Sequence, residues 1–467
     1  MRIPFVGGSY RARSVNADAQ RSVNVYLELD ATSERAPVAL YGRPGMVLEA
    51  TIGAGPHRGS KEMGSFLYVV SGNAVYRVAQ DFTASLLGTI SSSSGPVGMA
   101  HNGAEVMIVD GVGGWLATSS ALTQITDPDF PSGVTQVTCV DGFFLVAGDG
   151  SDQVYCNEVP RDGATWVGTD FASAEGAPDN TIALVSNHRE IWPFGSQSSE
   201  VWSNTGNPDF PFERISNVFL EKGIVAPFSL TKMDSTIYWL GRDETGSGIV
   251  FRADGYTPIR ISDHAVEKAI AGYEQADAIA FCFQMEGHSF YVLTFPTSDA
   301  TWVYDISTQR WFEWAWRHPQ QNTLHRWRAN SYSYFNGQHI VGDWENGKLY
   351  SLDLDTYTDN GDPMLCLRTC QTQNAEGRRM FFRSMQVDME TGVGGLSGGQ
   401  LMLRYSNDGG HTWSNPKLKS VGGSGEYAAR VKFGPTGMAT NRVWEISRTD
   451  NYKFGVFGAF ADVDIGT

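Results

Sequence analysis

Seven segments of the chain repeat one layout, and this repetition limits the possible folds more than any other feature. They are GSFLYVVSGNAVYRV (64–78), GAEVMIVDGVGGWLA (103–117), DGFFLVAGDGSDQVYCN (141–157), HREIWPFGSQSSEVWSN (188–204), DSTIYWLGRDETGSGIVFRAD (234–254), EGHSFYVLTFPTSDATWVYDI (286–306) and NGQHIVGDWENGKLYSL (336–352). Each runs from a polar or glycine lead-in through a strand rich in β-branched and aromatic residues and a Gly/Ser/Asp turn to a second strand with an aromatic anchor. The anchors Tyr76, Trp115, Tyr155, Trp202, Phe251, Tyr304 and Tyr350 are spaced by 39, 40, 47, 49, 53 and 46 residues. A four-stranded propeller blade occupies about 40 to 50 residues.

The strands of each hairpin are apolar almost throughout instead of alternating, the pattern of a sheet covered on both faces. The reading is an all-β chain: a β-propeller, most simply of seven blades, over 1–363, and a β-sandwich-like C-terminal domain over 364–467. A stack of β-sandwiches is the structural alternative, since periodicity alone does not prove ring closure. A short helical insertion is expected within 263–278, capped by Ser262 or Asp263, with Val266, Ala269 and Ile270 on one face. Past 363 the hairpin pattern stops, and GVGGLSGG (392–399) reads as a flexible tract. The strand-like SVNVYLEL within 16–48 is a candidate for closing the last blade.

Composition narrows the function classes. The 467 residues carry a formal charge of −16, against a surface built to neutralise nucleic-acid phosphates or anionic lipid. Charged residues make up 18% beside 52 glycines and 13 tryptophans, a turn-rich and aromatic balance foreign to disordered or coiled-coil chains. The opening MRIPFVGGSYRARS lacks an apolar signal core and no run of about 20 apolar residues follows, so synthesis in the cytoplasm without membrane insertion is expected. Five scattered cysteines, Cys139, Cys156, Cys282, Cys366 and Cys370, read as reduced structural thiols. Cys366 and Cys370 lack the second pair a zinc site needs, so no metal or cofactor is expected.

Two local patterns stand out. Ser406, Asp408, Gly410, Thr412 and Trp413 fit the S-x-D-x-G-x-T-W Asp-box hairpin: the Asp side chain binds turn amides, glycine permits positive φ and the Trp packs beneath. A structural role is expected, because a propeller sialidase needs an arginine cluster, a Tyr with an acidic partner and several such boxes, and only one box is present. No H-E-x-x-H, G-x-S-x-G or phosphate-loop motif accompanies it, and no residue is assigned to catalysis. The second pattern is the dense set Trp311, Phe312, Trp314, Trp316 and Trp327, with Arg317, Arg326 and Arg328 nearby. Trp311, Trp314, Trp316, Trp327 and Arg328 are candidates for a protein interface, where Trp and Arg concentrate, with interblade packing as the competing reading.

Several stretches, in order, resemble the packaged-DNA stabilisation or tail hub proteins of short-tailed (podovirus) bacteriophages. They are NADAQRSVNVYLELD (16–30), LYGRPGMV (40–47), EKGIVAP (221–227), TPIRISDHAVEKAIAGY (257–273), HSFYVLTFP (288–296) and TWVYDISTQRWFEW (301–314). The last three are the most specific, and the resemblance spans residues 16 to 350.

The resemblance implies a non-enzymatic virion tail protein. A homohexameric ring would sit below the portal and its head-to-tail adaptor, close the DNA exit channel, stabilise packaged DNA, and hold the tail needle or plug and the tailspikes or fibres. DNA would pass the lumen without sequence-specific binding. From a different class, the alternative is a glycan-binding or sialidase-like propeller hydrolase; a tailspike-like adhesin is a third reading.

Overall fold

Leu67, Tyr68, Val69 and Val70 are four consecutive residues of one strand, and each is 0% exposed. Successive side chains of a strand point to opposite faces, so both faces are covered. Tyr68 and Val70 pack with Val106 and Ile108 of the following hairpin, whereas Leu67 and Val69 pack with Ile340 and Leu349 of the last one. The same division recurs along the chain: Met107 and Val109 meet Phe144 and Val146, and Leu145 and Ala147 meet Ile191 and Trp202. Full burial of each such side chain contributes about 1.5–3 kcal/mol. The chain is therefore a ring of sheets with an apolar layer between each neighbouring pair, a β-propeller.

The structure is a computed structural model describing residues 1–466 except 31, 34, 35, 175, 209, 243–247 and 395–397. Six blades are four-stranded antiparallel meanders of consecutive strands. They run from His57–Met63 to Ala84–Thr89, Gly98–His101 to Leu122–Gln124, Gln136–Val140 to Trp166–Ser173, Thr181–Asn187 to Phe212–Leu220, Thr231–Met233 to Thr257–Arg260, and Ile279–Met285 to Arg310–Glu313. The seventh repeat corrects the expectation of seven equivalent blades. Its strands Ala329–Phe335, Gln338–Asp343 and Lys348–Asp353 enter a composite six-stranded sheet, in which Gly45–Thr51 pairs antiparallel with Lys348–Asp353. The composite sheet lies between the sixth blade and the first and completes the ring.

The ring-closing strand is thus Gly45–Thr51, and SVNVYLEL goes elsewhere. Ala19–Val23 pairs with Cys366–Thr369, and Val25–Leu29 pairs with Val38–Gly42, which pairs in turn with the final strand Gly455–Ile465. Both chain ends therefore build the sandwich, so the division at 363/364 does not describe where residues 1–42 lie. One sandwich sheet is centred on Met380–Met389 and Gly455–Ile465, the other on Asn441–Arg448 and Gln400–Ser406. Met385, Val387 and Val456 on the first face Leu401, Trp444 and Ile446 on the second in one core. A parallel bridge from Val23 to Glu313 makes the second sheet continuous with the sixth blade.

The helix spans His264–Ile270, shorter than 263–278. Asp263 caps it, its Oδ1 accepting from the amides of Ala265 at 3.0 Å and Val266 at 2.9 Å. Bonds from Gly272 N to Ala269 O and Tyr273 N to Ile270 O tighten the last turn and end it, consistent with glycine's poor helix propensity. Val266 and Ile270 fill the layer between the fifth and sixth blades. All five cysteines are free thiols. Residues 395–397 of the glycine-rich tract lie outside the described residues.

Candidate interaction surfaces and the axial channel

The Asp-box segment forms a tight hairpin held by one carboxylate. Asp408 Oδ1 accepts from Ser406 Oγ at 2.6 Å, His411 N at 3.0 Å and Thr412 N at 2.9 Å, and Asp408 Oδ2 accepts from Thr412 Oγ1 at 2.5 Å. These bonds, the Ser406 and Thr412 hydroxyls foremost, hold its carboxyl well below the usual carboxylate range. Gly410 adopts φ +100°, where a side chain is strained, and Trp413 Nε1 donates to Gly410 O at 3.1 Å. The hairpin packs on the N-terminal segment, since a Cβ on Gly409 would come within 2.3 Å of Asn16 Oδ1. Every acceptor bond of Asp408 is thus spent on its own turn.

The tryptophan set does not form an exposed patch. Trp311, Trp314 and Trp327 are 2%, 1% and 0% exposed, and Arg328 is buried with them. Trp314 and Trp327 meet edge to face with centroids 4.9 Å apart, in the core shared by the sixth blade, the composite sheet and the sandwich. Trp311 belongs to the layer between the fifth and sixth blades. Arg328 pairs with Asp343 at 2.7 Å and lies 4.5 Å over the ring of half-buried Trp316. Trp311, Trp314, Trp327 and Arg328 are thus packed in the interior of the chain, and Trp316 is half-buried: the Trp-rich outer strand is covered because the sandwich sheet continues from it.

Arg368 and Arg43, both buried, were not singled out by the sequence reading, and they hold the N-terminal segment in place. Arg368, 0% exposed, donates to Phe5 O at 3.1 Å, Gly8 O at 2.7 Å and Ser22 Oγ at 2.9 Å. Arg43 lies in the RPG turn of LYGRPGMV, which was the only signal available for it.

Two cavities have distinct chemistry. Where propeller and sandwich meet, Tyr26, Tyr41 and Tyr357 surround Glu28 and Glu286, with Lys453 as the basic group and no arginine in the lining. A sialidase-type centre would need arginines for a substrate carboxylate at such a point. The second cavity, of about 530 Å³, lies on the propeller axis and is lined by the innermost strands of all six blades. Its ionisable lining groups are Lys61, His101, Cys139 and Lys232, without a carboxylate. Among the described residues no group of His, Cys, Asp and Glu is arranged to hold a metal ion, and no helix is long and apolar enough to cross a membrane.

Comparison with known proteins matches both parts of the chain in order. The sequence model described as "Bacteriophage P22 Gp10, beta-propeller" matches residues 1–357, and the one described as "Bacteriophage P22 Gp10, beta-sandwich" matches 367–464. No curated protein matches. Among solved structures, the N-terminal domain of Nup159 is 8% identical with a TM-score of 0.43, covering 71% of this chain and 98% of its own. The Neurospora crassa Pan2 WD40 domain is 10% identical at 0.42, covering 68% and 96%, and BamB from Moraxella catarrhalis is 8% identical at 0.39, covering 71% and 99%. These structural likenesses are too slight to bear on function. The family match spans well over half of the chain in its propeller part alone, with the sandwich matched behind it, and the chain therefore belongs to the bacteriophage P22 Gp10 family of structural phage tail proteins.

Proposed function

We propose that this chain is a tail hub: a homohexameric ring attached below the portal and its adaptor. In this reading it closes the DNA exit channel, stabilises packaged DNA and anchors the tail needle or plug and the tailspikes or fibres. Synthesis in the host cytoplasm precedes incorporation into the virion. The observation that carries the reading is the ordered family match over both domains. It is supported by an architecture in which strands near both chain ends pair into one sandwich continuous with the propeller.

The axial cavity is lined by the innermost strands of the six blades of a single chain. In this reading DNA passes at the centre of the ring of copies, and the −16 charge of each copy disfavours adhesion to phosphates. The glycan-hydrolase reading has one Asp-box, turned inward on itself, and no arginine where tyrosines and glutamates converge.

The test is the DNA content of particles assembled without this protein. Filled heads that then lose their DNA and lack tail appendages are expected. Particles that retain DNA with complete tails and fail only on host glycan would overturn the hub.

A further inference from the structure

A protein of formal charge −16 concentrates basic groups without acidic ones on its propeller axis. Lys61 comes from the innermost strand of the first blade, His101 from the second, Lys232 from the fifth. The Lys232 ammonium donates to the Ser186 carbonyl at 2.7 Å, a neutral partner. The Lys61 ammonium has no ion-pair partner among the described residues. Burial lowers the affinity of Lys61 for its proton, and burial followed by the Lys61 charge does the same to Lys232 and His101. Lys61 thus lies within electrostatic reach of both Lys232 and His101, Glu62 offsets its burial only in part, and no carboxylate lines the cavity itself.

A second observation is independent of charge. Gln136, on the innermost strand of the third blade, lines the same cavity, is 7% exposed, and its Nε2 has no hydrogen-bond partner. A buried amide donor without a partner is unfavourable and calls for an acceptor. Two ammonium groups lining one polar cavity, with a buried amide donor in its wall that a side-chain rotation would turn inward, match an oxyanion with several acceptor oxygens.

We propose that the propeller axis is a binding site for a phosphate-class oxyanion, held by Lys61 and Lys232 with Gln136 as a neutral donor. Two ammoniums favour a divalent anion over chloride, and the anion would tie the first, third and fifth blades together across the axis. The occupant is inorganic phosphate or the end group of a phosphomonoester.

Titration calorimetry of the full chain with inorganic phosphate, at ionic strength fixed with sodium chloride, tests the site. One phosphate per chain is expected, with binding weakened roughly tenfold or more in Lys61→Met/Lys232→Met and less in Gln136→Leu. In phosphate-free buffer the double variant should melt at or above the wild-type temperature, because two mutually repelling, desolvated charges are gone; lost binding is then not lost folding. Equal binding by the double variant, or no binding by the wild type, overturns the proposal. Displacement of phosphate by a nucleoside monophosphate supports the site and assigns the phosphomonoester as occupant; phosphate binding without displacement supports it with inorganic phosphate as occupant.

Discussion

Arg43 and Asp359 form a bidentate ion pair in the interior, Nη1 to Oδ1 at 2.9 Å and Nη2 to Oδ2 at 2.7 Å, with side chains 0% and 1% exposed. The same guanidinium donates to Asn24 Oδ1 at 2.9 Å and Ala315 O at 3.2 Å, and Asn24 donates onward to Leu365 O at 2.8 Å. One side chain thus joins the segment leading into the ring-closing strand, the exit of the sixth blade and the chain leaving the composite sheet. A buried pair of this kind adds little over an apolar replacement, but breaking it strands a charge.

Arg43→Met is therefore expected to cost about 3–5 kcal/mol, and Asp359→Leu a similar amount. The double variant Arg43→Met/Asp359→Leu should cost clearly less than the two together, because neither charge is left alone. Denaturant midpoints of the four proteins decide it; strict additivity would show that the pair does not act as a unit.

Trp314 is expected to behave as core. It packs on Trp327, Phe283 and Phe290, and its Nε1 donates to Val25 O at 3.4 Å, across to the sandwich. Trp314→Ala should cost about 3–5 kcal/mol in the isolated protein, before any partner is present. Trp316, half-buried beneath Arg328, should cost about 0.5–2 kcal/mol on truncation, the range of a cation–π contact. Thermal melts of both variants without other virion proteins make the comparison, and an unchanged Trp314→Ala melt would return that residue to an interface.

These residues mark what a sequence can disclose. The central hairpins were legible because sheets covered on both faces leave continuous apolar runs such as Leu67–Val70 and Val106–Val109. The Asp-box was legible because its bonds close within seven residues, from Ser406 to Thr412. The composite sheet was not, since pairing of Gly45–Thr51 with Lys348–Asp353 is non-local and leaves no period. SVNVYLEL looked like the closing strand on propensity alone, but Arg368 and the sandwich strands claim its neighbours. The axial groups were missed for a positional reason: Lys61, His101, Gln136 and Lys232 all precede the hairpins that the repeat picks out, on the innermost strands. Composition suggested an interface for the tryptophans, but residue type carries no information about what covers it.

Gly45 starts the ring-closing strand where no side chain fits. A Cβ there would lie 2.3 Å from Thr356 O and 2.6 Å from Thr358 O, both backbone atoms that no rotamer change can move. Gly45→Ala should displace the strand at a cost of about 1–3 kcal/mol, as for other forced insertions. Hydrogen exchange should quicken together in 45–51 and 348–353, the two partners, and not in the second or third blades. Gly434, with open space around its Cβ position, is the control, and Gly434→Ala should change stability by less than about 0.5 kcal/mol. Unchanged exchange in Gly45→Ala would mean the strand tolerates a shift the packing argues against.

The pH response of the Asp-box hairpin follows from the depressed Asp408 carboxyl. A group held below its unfolded value, about 3.9 for aspartate, stabilises the fold fully above that pH and loses its contribution as pH falls toward the folded value. The 406–413 turn should therefore be indifferent to pH between about 5 and 8 and loosen progressively below about 4. Trp413, bonded to Gly410 O and lying beneath Arg404, reports the change through its fluorescence and through protease cleavage at the turn. Asp408→Asn keeps one acceptor oxygen but gives up the carboxylate that receives Thr412 Oγ1 and Thr412 N together, so its turn should be cut faster at neutral pH and show no acid step of its own. Wild-type-like titration in Asp408→Asn would assign the acid step to another group and overturn the prediction, which rests on Asp408 being, among the described residues, the carboxylate that holds the amides of His411 and Thr412.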